Sequence, residues 1–141
     1  MFVLDTNVIS ELRRAEKGDA RVFAWGSSHG QSDFYLSAVT ILEIALGARL
    51  LARKDKSRGA VLLTWIDRIV LPEFEGRILP VDVAVARRCA LLHIPTPMGK
   101  NDALIAATAL VHGMQVATRN VVDFERTGVK LINPWLQGAR K

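Results

Sequence analysis

A single cysteine, Cys89, leaves the chain unable to form an internal disulfide or a cysteine-built zinc site. Cys89 lies in "VAVARRCALL", where a thiol serves as a small core hydrophobe. Aromatic residues make up only 6% of the sequence and do not interleave with the basic ones, so no base-stacking platform is evident. His29, His93 and His112 follow no metal-ligand spacing and are expected at the surface or at helix ends. The richest apolar stretch, "ALIAATALVHGMQVA", is interrupted by His112, Gly113 and Gln115 and is too short and polar for a bilayer span. Asp5 breaks the first apolar run and no basic segment precedes it, so no secretory leader is expected. A cytoplasmic protein with no membrane partner follows. Walker A, G-x-G-x-x-G and G-x-S-x-G motifs are absent, as are repeats and low-complexity tracts.

What remains is the make-up of one globular unit. The 141 residues are 50% hydrophobic and 23% charged, which predicts a single domain, 1–141, able to bury its own core. Nineteen Lys+Arg against fourteen Asp+Glu give a net charge of +5. Arg13, Arg14, Lys17 and Arg21 form one basic cluster, and Arg49, Arg53, Lys54, Lys56 and Arg58 another. Each is either a solvated helix face or a contact for a polyanion.

Apolar patterning predicts alternating strands and helices. "MFVL" reads as a buried strand followed by a helix from Thr6, and "DFYLSA" as a second strand. The helix from Thr40, "ILEIALGARLLARK", is apolar almost all round, which predicts cover on two sides, one of them a partner subunit. "RILPV" is a strand, "DVAVARRCALLH" a helix capped by Asp82, and "NDALIAATALVHG" a helix closed by Gly113. "MQVAT" and "VKLIN" complete the strands. This alternation predicts an α/β sandwich around a mostly parallel sheet, with a site beyond the carboxyl ends of its strands.

Four acids fall at that edge: Asp5, Glu43, Asp102 and Asp123. Singly, each has a structural explanation. Asp5 is a helix N-cap, Thr40 and Glu43 fit a T-x-x-E capping box, Asp102 suits the positive end of its helix, and Asp123 caps a turn. Together they repel, and at neutral pH they need protons or a cation to coexist. An all-oxygen donor set suits Mg²⁺ or Mn²⁺ and the hydrolysis of a phosphoester. Lys100 borders the cluster, either to meet a phosphate or as a solvated loop residue.

In order along the chain, "MFVLDTNVISEL", "LSAVTILEIALG", "NDALIAATAL" and "VATRNVVDFE" resemble the PIN-domain toxins of VapBC modules, the FitB-like branch above all. The resemblance implies a three-layer α/β/α sandwich and a Mg²⁺-dependent endoribonuclease, with Mn²⁺ as a substitute. It implies that Asp5 and Asp102 are the principal metal ligands and that Glu43 and Asp123 complete the pocket. Thr118 and Asn120 would orient water or phosphate, and Asn7 would support Asp5. The same resemblance implies a toxin homodimer held by a VapB/FitA-like antitoxin, the complex binding operator DNA mainly through the antitoxin. Two other readings compete. One is a non-catalytic RNA- or protein-binding module whose acids are caps. The other is a haloacid-dehalogenase-type phosphatase, which wants a second acid where this chain has Asn7.

Overall fold

Phe2, Val3 and Leu4 form the central strand β1 (Phe2–Leu4), and all three are buried. An unbroken apolar run is what a strand covered on both faces requires. Alternation then divides the side chains. Phe2 and Leu4 pack with Val8, Val22, Trp25 and Ile44 on one side, and Val3 with Ile105, Ala106 and Phe124 on the other.

The computed structural model describes residues 1–137; residues 138–141, the end of the expected unit, lie outside the described residues. After β1 come α1 (Thr6–Arg13), α2 (Ala20–Ser27), β2 (Phe34–Ser37), α3 (Ala38–Lys54) and α4 (Lys56–Trp65). A π-helical segment (Ile66–Val70) leads into α5 (Leu71–Glu73), then β3 (Ile78–Leu79), α6 (Val83–Leu92) and α7 (Lys100–His112). The chain continues through β4 (Gln115–Ala117), α8 (Val121–Phe124) and β5 (Leu131–Ile132). The five strands lie in the order β3-β2-β1-β4-β5 and every pairing is parallel. Helices cover both faces, giving the expected three-layer α/β/α sandwich. Between β1 and β4 the strand order reverses, and such a switch point opens a crevice at the carboxyl edge.

Several local expectations hold. Asp82 caps α6 by accepting from the Val85 N–H at 3.0 Å, and Gly113 closes α7 in the left-handed region at φ 68°. Two do not. The helix after β2 starts at Ala38, because the Ser37 hydroxyl takes the cap by accepting from Val39 N–H at 3.0 Å. Thr40 and Glu43 therefore form no capping box: Thr40 is buried inside the helix, and Glu43 is left free for other partners. Within the chain α3 is covered on one side, and the side expected to meet a partner subunit is open. Val39, Ile44 and Ala48 are buried, but Leu42, Leu46 and Leu50 form an exposed stripe, each more than half accessible. Among the described residues no helix is long and apolar enough to cross a membrane.

Candidate active site

Strand pairing fixes the position of Asp5. Its N–H donates to the Ala117 carbonyl at 2.9 Å, so the ends of β1 and β4 are clamped where both chains leave the sheet. The carboxylate is buried and accepts three hydrogen bonds. Thr6 N–H reaches Oδ1 at 2.8 Å, while the Thr118 hydroxyl and the Asn7 amide reach Oδ2 at 2.7 and 3.3 Å. Asp5 thus does cap α1, as the simpler reading held, yet one cap bond does not account for the other two. Burial pushes its pKa above the ordinary carboxylate range, the bonds from Thr118 and Thr6 oppose this, and the charge on Glu43 adds to it.

Thr118 and Asn7 are braces. The Thr118 hydroxyl donates to Asp5 and accepts from Asn120 N–H at 2.9 Å. Asn7 donates to Asp5 and accepts the Arg119 N–H at 3.3 Å, so this side chain supports Asp5 and cannot supply the second acid a phosphatase would need. Asn120 joins the network through its main chain and is otherwise exposed.

Glu43 sits in α3 facing the starts of α1 and α7. Thr6 Oγ1 donates to its Oε1 at 2.5 Å and Asn101 Nδ2 to its Oε2 at 3.2 Å. One carboxylate thereby ties the neighbour of Asp5 to the neighbour of Asp102. Neither Thr6 nor Asn101 stands out in the sequence, since a lone polar residue beside an acid makes no motif. Asp102 lies in the first turn of α7, and its pKa is pushed up to about 6 by burial, then by the charges of Asp5, Asp123 and Glu43. All four acids therefore share one field. Asp123, in α8, is the exposed member.

The field is not neutralised by side chains. Among the described residues the ion pairs are Arg14–Glu11, Arg21–Asp19 and His29–Asp33, none at this edge. The two basic clusters lie elsewhere as well. Helix α1 takes Arg13 and Arg14 about 10 Å from its start at the site, and α3 takes Arg49 about 16 Å from its own. Among the described residues, no three His, Cys, Asp or Glu side chains are grouped closely enough to hold one ion. Even so, the donor set is all oxygen, partly buried and short of positive charge. That chemistry fits a hard divalent cation entering between Asp5 and Asp102.

The raised pKa of Asp102 has a consequence for stability without metal. The folded state holds a proton that the unfolded chain, with its ordinary value of 3.8, has released, so stability is greatest below that value and falls as pH rises through about 6. In EDTA, the Tm of the wild type is expected to drop by a few degrees across this window relative to Asp102→Asn. Parallel pH profiles for the two proteins would contradict the shared field.

Comparison with known proteins identifies the family. The family model described as PIN domain matches residues 2–130. The chain is 42% identical to the VapC ribonuclease Y4jK of Sinorhizobium fredii, over 96% of this chain and 98% of that one. It is also 42% identical to the toxin FitB of Neisseria gonorrhoeae, over 96% and 99%. The crystal structure of FitAcB from Neisseria gonorrhoeae superposes with a TM-score of 0.86 at 40% identity, covering 96% of this chain and 99% of that one. FitAB bound to an IR36 DNA fragment superposes at 0.84 and 41% identity, covering 96% of each.

Proposed function

Because the chain belongs to the PIN-domain family, with VapC and FitB proteins as near full-length relatives, we propose that it is the toxin of a type II toxin–antitoxin module and an endoribonuclease. The observation that carries this is the convergence of four acids from separate segments on one crevice, none of them in an ion pair among the described residues.

PIN-domain nucleases generally use divalent metals, and here we assign Mg²⁺, with Mn²⁺ as a substitute, to Asp5 and Asp102. Glu43 and Asp123 complete the pocket, directly or through water. When bound, the ion supplies a Lewis acid that lowers the pKa of a water and offsets charge on the phosphoryl oxygens. The protein's share is positioning. Thr118 and Asn7 hold the Asp5 carboxylate in one orientation, and Glu43 fixes α1 against α7, so the two principal acids keep their spacing. Asp123 adds negative charge from the open side, and Lys100, the first residue of α7, is assigned to an incoming phosphate. Hydrolysis in line with the leaving oxygen leaves a 5′-phosphate and a 3′-hydroxyl.

The partners follow the same reading: a VapB/FitA-like antitoxin, operator DNA reached only as the toxin–antitoxin complex, and a second copy of the chain. The exposed stripe Leu42, Leu46 and Leu50 on α3 suits the homodimer. All of this takes place in the cytoplasm. A short pulse of expression followed by sequencing of cellular RNA ends tests the activity. New 5′-phosphate ends are expected with the wild type and not with Asp5→Asn; the same ends in both would overturn the assignment.

A further inference from the structure

We propose that Arg119 is a substrate-binding residue, its guanidinium holding a phosphate of the RNA strand that crosses the acid pocket. The proposal rests on the ribonuclease reading above and adds to it the group that offsets the pocket's charge.

An acid cluster repels the polyanion it must cut. The basic clusters conspicuous in the sequence do not help, because α1 and α3 carry them away from the crevice. At the carboxyl edge itself, β4 ends at Ala117, and Thr118 and then Arg119, which is exposed, follow it. Its main-chain N–H is held by Asn7, itself bonded to Asp5, so the residue is tied to the centre of the site. Its side chain is fixed at the other end. The guanidinium carbon lies 5.1 Å from the centroid of the Trp135 ring, within cation–π range. That ring is a firm support: Trp135 is 6% exposed, belongs to the core cluster of Phe2 and Leu4, and its main-chain N–H donates to Asn133 Oδ1 at 3.0 Å.

The residue thus follows the strand edge that carries the acids, and its guanidinium is in no ion pair among the described residues. Its planar fork is set for the two oxygens of a phosphodiester, and stacking on Trp135 removes much of the entropy lost when a long side chain binds. Lys100 borders the pocket at the start of α7 and Arg119 at the end of β4, so a strand laid across the crevice passes between two cations.

The test uses the full-length protein and a short fluorescein-labelled single-stranded RNA of mixed sequence. Binding is followed by anisotropy in EDTA over a range of salt, and cleavage in Mg²⁺ by steady-state kinetics. Arg119→Ala is expected to weaken binding on the order of tenfold and to reduce the salt slope by about 0.7, one phosphate contact on a single strand. In cleavage the loss is expected in KM, with kcat nearly unchanged. Arg119→Lys, which keeps the charge, is expected to restore the slope and only part of the affinity. The binding arm needs no cleavage, so it decides the role of Arg119 separately from the ribonuclease reading. A wild type that binds no RNA, or an Arg119→Ala variant with wild-type slope and KM, would overturn the proposal.

Discussion

Asp102→Asn is expected to lower RNA cleavage by on the order of a thousandfold, matching the several kcal/mol that a metal Lewis acid contributes. The two side chains have nearly the same shape, so the fold is not the casualty. The first turn of α7 keeps its geometry, and the carboxylate whose pKa stands at about 6 is replaced by a neutral group that no longer repels Asp5, Asp123 and Glu43. Cleavage should therefore vanish while the metal-free Tm at neutral pH rises. A variant that loses activity and stability together would point to a structural acid. Asp5→Asn is expected to match it in activity but not in stability. Asp5 accepts bonds from Thr6, Thr118 and Asn7, and an amide cannot accept all three, so the relief of a buried charge is offset by a lost bond. Titration with Mn²⁺ followed by its paramagnetic signal reads the loss of metal affinity in both variants without reference to activity.

Gly59→Ala is expected to destabilise the protein by about 3 kcal/mol, far from the site. Gly59, in α4, lies so close to α3 that an added Cβ would fall 2.4 Å from both Cα and Cβ of Ala52 and 2.6 Å from its nitrogen. Two of those atoms are backbone, so no rotamer change relieves the clash and the helical hairpin itself must open. Gly47, in the exposed part of α3, is the control. A Cβ there meets nothing within 4 Å, and Gly47→Ala is expected to stabilise by about 0.5–1 kcal/mol through helix propensity. Urea unfolding of the two variants gives opposite signs if the close approach of α3 and α4 is real. Equal and small effects would contradict it.

Much of the architecture was legible because it is local. The run Phe2–Leu4, the cap at Asp82 and the stop at Gly113 each follow from a few neighbouring residues. The errors arose where two local signals competed. Ser37 and Thr40 are both plausible caps three residues apart, and only burial of Thr40 under the sheet decides for Ser37. Asp5 shows the converse, since cap and site prove to be the same carboxylate. The sequence left the basic clusters between two readings, because it does not show that α1 and α3 carry them away from the acids. Thr6, Asn101 and Arg119 went unnoticed because their importance lies in contacts with Glu43 and Trp135, distant in sequence. The near-continuous apolar character of α3 was legible as a face for a partner subunit, and the stripe Leu42, Leu46 and Leu50 is open within the chain.

The central claim is that these acids serve a metal-dependent nuclease, and metal removal tests it most directly. Purified wild-type protein should leave RNA intact in excess EDTA and cleave it once Mg²⁺ is added beyond the chelator. Undiminished cleavage in EDTA would contradict the claim.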